Sequence, residues 1–154
     1  MNIMIKKGYV YGLGMGAALI AYFLLMKVFG LEANFYLRIF NFVILIGGVT
    51  LLLNSQVKKS PNTVTYFEGL GLGIRSTVTS VIVFIAFMAA YISLLDPEFM
   101  AILQSSQIWG NNLGLLEVTV AILIEGIASS FVISFGMMQY FKKYTVSPNA
   151  PTKI

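Results

Sequence analysis

The chain has 154 residues, 58% of them hydrophobic and only 10% charged, with a net charge of +4 and neither Cys nor His. A soluble domain carries about 25% charged residues, and one this size could not bury so much apolar surface, whereas a bilayer can. Lack of Cys and His excludes thiol chemistry, disulfides, the usual zinc and haem sites and any Ser-His-Asp triad, so no catalytic, cofactor or metal residue is expected.

Four stretches, roughly 8 to 29, 37 to 54, 74 to 95 and 115 to 140, are long and apolar enough to span, since about 20 predominantly apolar residues cross the hydrocarbon core. They are continuously apolar rather than alternating, which fits helices and not a transmembrane barrel. The expected fold is all-α: one polytopic domain of four transmembrane helices.

The first helix follows MNIMIKK. Its apolar run is too long for a signal-peptide core, and no small-x-small cleavage site follows, so it reads as a retained helix. Gly12 and Gly16, in YGLGMGAAL, are four apart on one face, a spacing that lets membrane helices approach closely. Gly30 is placed to end the helix as a C-cap glycine. The short LEANF connection makes helices 1 and 2 a tight hairpin. Helix 2 should stop at LLLNSQVKKSPN, where Asn54, Ser55, Pro61 and Asn62 are turn formers. Asn41 and Thr50 within it, like Tyr22 in helix 1, read as packing residues.

Helix 3 opens in TYFEGLGLGIRSTVTSV. Thr65-x-x-Glu68 fits a capping box, which starts the helix about two turns before the membrane. Arg75, seven residues on, then lies at the inner interface, where it can snorkel to headgroups. GLGLGIR lacks the preceding strand and the spacing of a phosphate loop. Gly69 and Gly73 instead repeat the four-residue spacing of helix 1, and Ser76 and Ser80 extend the stripe. The likeness of GLGMG to GLGLG hints at two duplicated hairpins.

After helix 3, Asp96 suits an N-cap, Pro97 the first helical position and Glu98 the first turn. With Phe99, Met100, Ile102 and Leu103 they describe a short amphipathic helix on the periplasmic face, anchored by Trp109. In helix 4, Glu117 lies near the outer boundary and is placed to pair with Arg38 or Lys27. Glu125 lies eight residues further, about 12 Å along the axis, close to mid-membrane. A carboxylate there is a functional candidate by default. Gly126, Ser129 and Ser130 make its surroundings small and polar. No Lys or Arg is expected at its depth, so Glu125 should be protonated or bonded to hydroxyls. It is read either as an interhelical packing bond or as a proton or cation site.

Lys and Arg fall at the N-terminus (Lys6, Lys7), the second connection (Lys58, Lys59, with Arg75 at its edge) and the tail (Lys142, Lys143, Lys153), while the first connection has only Lys27 and Arg38 at its rims and the third has none. That asymmetry puts both termini in the cytoplasm. The net positive charge is then a topology signal, and no nucleic-acid partner is expected.

The order YGLxxG at the opening of helix 1, TYFEGLGLG into helix 3 and YISLLDPEF out of it resembles an uncharacterised family of small four-helix membrane proteins common in Bacteroidetes, a domain of unknown function. The resemblance implies a bacterial inner-membrane location and brings no activity and no site residues. The function expected is that of a structural or accessory subunit, packing in the bilayer against itself or a larger membrane complex. The alternative is a small proton- or cation-coupled transporter or channel using Glu125.

Overall fold

The computed structural model describes residues 2–31, 35–59, 61–96, 99–101 and 114–146. Helix α1 runs Asn2–Val28. A 3₁₀ turn, Phe35–Arg38, leads into α2, Ile39–Leu53, which continues as a π-helical turn over Asn54–Lys58. Helix α3 runs Tyr66–Ala90 and also ends in a π turn, Tyr91–Leu95. Helix α4 runs Leu115–Phe141 and closes with a 3₁₀ turn, Lys142–Tyr144. All four are long and apolar enough to cross a membrane. The fold is therefore the expected all-helical one, and its helices are those of an integral membrane protein.

The helix ends follow local chemistry in three places. Gly30 adopts φ +67°. Its N–H donates to Lys27 O (3.0 Å) and that of Leu31 to Met26 O (2.9 Å), the paired bonds of a Schellman ending that only a residue tolerant of the left-handed region closes cheaply. Thr65 and Glu68 form the capping box: Thr65 N–H donates to Glu68 Oε2 (2.8 Å), and Glu68 N–H donates to Thr65 Oγ1 (3.3 Å). Asp96 N-caps as expected, its Oδ1 accepting from Phe99 N–H at 3.1 Å, and Phe99 to Ala101 are helical. Pro97, Glu98, Trp109 and the rest of the expected periplasmic helix lie outside the described residues.

Two ends differ from expectation. Helix α1 starts before Gly8, so Lys6 and Lys7 are helical. Asn54 and Ser55 do not stop α2: the backbone widens, with Lys59 N–H donating to Asn54 O at 3.1 Å, and stays helical to Lys58. Gln56 and Val57 are buried in that turn, so packing outweighs the turn preference of the residues before them.

Helix α1 packs on α3, α3 on α4, α4 on α2 and α2 on α1. The pairs α1–α3 and α2–α4 run parallel. Residues meeting across α2–α4 keep one offset, 87 for both Thr50–Met137 and Arg38–Glu125. A core around Val49, Leu53, Val57, Met138 and Phe141 fills the end that carries the lysine-rich segments. A second core, with Met88, Tyr91, Phe99 and Val118, fills the other. In the latter, Phe23 meets Tyr91 and Phe99 edge-on at 5.2 and 5.6 Å, a favoured aromatic geometry. Large apolar side chains such as Val10, Val28, Phe67, Leu94 and Val132 stay exposed on the outside of the bundle, as suits a surface solvated by lipid chains.

Helix α3 is the centre of the packing. On α1, a Cβ at Gly12 would lie 2.6 Å from Ser76 O and one at Gly16 2.9 Å from Val83 Cγ1. Gly69 and Gly73 of α3 point elsewhere, toward α4: Gly69 faces Met138 at 2.7 Å and Gly73 faces Ser134 at 3.0 Å, while Gly126 of α4 is closed over by Val81. Because GLGMG meets α3 and GLGLG meets α4, the two similar stretches serve different contacts, and the packing gives the duplication no support.

Candidate functional site

The residue pair that a simple spanning bundle does not require is Arg38 with Glu125. Arg38 ends the 3₁₀ turn ahead of α2. Tyr22 of α1 holds that turn by donating its hydroxyl to Leu37 O at 2.8 Å. Glu125 sits ten residues beyond Leu115, about 15 Å along α4 at 1.5 Å per residue. Arg38 Nη2 donates to Glu125 Oε2 at 2.6 Å, a short charge-assisted bond. This corrects the expectation that no basic side chain reaches Glu125, whose carboxylate meets Arg38 rather than the neighbouring hydroxyls. Residue counting put Arg38 at the rim. The parallel α2–α4 pairing and the long guanidinium arm carry its charge down to the carboxylate.

The hydroxyls near Glu125 are used otherwise. Ser129 Oγ donates to the Glu125 backbone oxygen (2.6 Å) and Ser130 Oγ to Gly126 O (2.7 Å). Such back-bonding satisfies a hydroxyl within its own helix. The same device recurs within α3: Ser76 and Thr77 donate to Gly73 O and Ser80 to Thr77 O. Ser134 is the exception, fully buried with an Oγ that has no hydrogen-bond partner among the described residues.

Two small cavities, each about 50 Å³, flank the pair. One is bordered by Arg38, Asn41, Glu125, Gly126 and Ser129, the other by Tyr22, Met26, Arg38 and Asn41. Each has room for water beside polar groups that can hold it. The pair itself is incompletely covered: the Arg38 side chain is 33% exposed and that of Glu125 40%.

The other expected charges are arranged differently. Glu117 pairs with neither Arg38 nor Lys27; its carboxylate accepts from Gly114 N–H at 2.9 Å and caps the start of α4, where a negative charge also meets the helix dipole favourably. Lys27 is engaged by Asp96 and lies 5.9 Å from the Phe99 ring centre. Lys27, by its hydrogen bond, holds the Asp96 carboxyl below the usual aspartate value of 3.8, against a smaller opposing effect of burial. Arg75 is half-buried, with its Cδ 3.9 Å from where a Cβ on Gly8 would lie. It does not join the Glu125 site, and neither do Gly12, Gly16, Gly69 and Gly73, which lie at contacts between helices.

Reading the residues in order missed Arg38 as the partner and Gly126 as the point where α3 closes on α4. A signal for the first existed: Arg38 is one of two arginines, set in the apolar run FYLRIFNF. Among the described residues no cluster of acidic side chains could hold a metal ion. No protein-family model, curated protein or solved structure matches the chain.

Proposed function

We propose that this protein is a non-catalytic structural or accessory component of a bacterial inner membrane, working by helix packing against a second copy or within a larger membrane complex. The observation that carries this reading is the partial exposure of Arg38 and Glu125 on helices that cross the membrane. A charge facing hydrocarbon is costly, by insertion scales about 2.5 to 3.5 kcal/mol at the centre of a helix. A neighbouring subunit laid over the α2–α4 seam would take the pair out of lipid contact and add hydrogen bonds to it. Both termini belong in the cytoplasm, on the strength of the lysines at one end of the bundle. The family resemblance of the helix 1 and helix 3 openings favours the bacterial location.

The cavities beside the pair favour a second reading, a small proton- or cation-coupled transporter in which Glu125 exchanges Arg38 for the coupling ion. Purification in mild detergent with mass spectrometry of the intact assembly tests the first reading. A stoichiometric partner or defined oligomer, weakened by substitutions on the α2–α4 face, is expected. A monomer that drives proton-coupled flux in vesicles would replace the subunit reading with the transporter one.

A further inference from the structure

We propose that the cleft between α1 and α2 binds one acyl chain of an anionic phospholipid, whose headgroup rests on Lys6 and Lys7. The cleft measures about 520 Å³ and is walled by apolar and small residues, among them Val10, Gly14, Met15, Val43, Gly47 and Leu51. It is open because Gly14 and Gly47 have no atom within 4 Å of where a Cβ would stand, while Met15 folds against Gly48 and forms the floor. This is the reverse of the α1–α3 contact, where the glycines are filled by the neighbouring helix.

Length and charge select the occupant. From Val10 to Ala18 the α1 wall spans nine residues, about 12 Å at 1.5 Å of rise between neighbours. That is less than half of a hydrocarbon core of about 30 Å. A partner helix would cross the whole core, whereas a lipid chain fills one leaflet. The cleft ends one helical turn from Lys6 and Lys7, which precede Val10 and Tyr11 by four residues and so share the face that lines it. Lys6 is exposed. Lys7 Nζ donates to Gln56 Oε1 at 3.2 Å, bridging α1 to the end of α2 and holding an ammonium at the cleft mouth. Lys58, at the end of the turn that follows α2, packs over the Tyr144 ring at 6.0 Å.

The test is native mass spectrometry of the full chain extracted from vesicles of phosphatidylcholine with and without phosphatidylglycerol, read as lipid retained per chain. The parent should keep one phosphatidylglycerol in preference to phosphatidylcholine. Lys6→Gln with Lys7→Gln should lower that preference by roughly five-fold for each lysine, the equivalent of about 1 kcal/mol per basic residue at an anionic surface. Gly14→Leu with Gly47→Leu should lose retained lipid of both kinds with an unchanged melting temperature, because the new side chains enter empty space. Lys6→Gln alone keeps the Lys7–Gln56 bond and so separates headgroup binding from helix pairing. Lipid retention unchanged in the leucine variant would overturn the proposal. So would a leucine variant that turns a dimer into a monomer while its lipid stays bound, since a second copy would then be the occupant.

Discussion

Arg38 and Glu125, 87 residues apart in sequence, meet at 2.6 Å across α2 and α4. The contact ties α4 to the turn that leads into α2. The pair makes a testable distinction between structure and transport. Glu125→Leu should cost about 0.6 to 2 kcal/mol, the span measured for polar contacts between membrane helices, in reversible unfolding in detergent. Glu125→Gln keeps an acceptor for the guanidinium and should cost less. Combining either with Arg38→Gln should give less than the summed cost, as contacting residues do. Additive losses would show that the contact contributes nothing to the fold. Loss of a growth phenotype in Glu125→Gln with assembly intact would favour the transport reading.

Glycine substitutions should sort by helix face. Gly12→Ala pushes a methyl toward Ser76 O, a backbone atom that cannot step aside, and should cost about 1 to 3 kcal/mol, as overpacking does. Gly14→Ala, two residues away over open space, should be neutral or slightly stabilising, since Ala is the better helix former. Gly73→Leu should disrupt the α3–α4 contact, whereas Gly136→Leu, with nothing within 4 Å, should not. Equal loss of thermal stability in Gly12→Ala and Gly14→Ala would contradict the packing assignment.

Asp96 gives an acid limb to stability. Its carboxyl is held below 3.8, chiefly by the Lys27 hydrogen bond. A carboxyl depressed in the folded state stabilises fully above its unfolded value. That contribution is lost as pH falls from about 3.8 through the folded value, because the unfolded chain takes the proton first. Asp96→Asn keeps an N-cap oxygen for Phe99 and removes the charge. Its melting temperature should fall less steeply than the parent's below pH 4, and parallel curves would refute the ion pair's role.

Ser134 buries a hydroxyl against Gly73 that has no hydrogen-bond partner among the described residues. An unsatisfied buried polar group costs about 1 to 3 kcal/mol, so Ser134→Ala should be neutral or stabilising in detergent melts. A clear destabilisation would mean that the hydroxyl bonds a water or a group of another subunit.

Topology can be read with reporter fusions. Fusions after Lys59 and after Lys143 should report the cytoplasm, and one at Gln107 the opposite side, from the distribution of basic residues. A cytoplasmic signal at Gln107 would overturn the orientation.

Composition and apolar run length were enough to place four membrane helices, because the hydrocarbon core imposes its length on any segment that crosses it. The Thr65–Glu68 box, the Gly30 ending and the Asp96 cap were equally legible, since each is decided within a few residues of chain. Gly12, Gly16, Gly69 and Gly73 could be marked as close-approach positions, but not assigned to partners: α1 turns its glycines to α3, and α3 turns its own to α4. The charge pairing depended on the same long-range arrangement. Glu125 stood out in the sequence as a deep acid, yet its partner is Arg38, and Glu117 and Lys27 are satisfied by Gly114 and Asp96. A run of residues fixes spacing along one helix axis. Which helices touch, with what offset and which side chain bridges them, follows only from packing all four together.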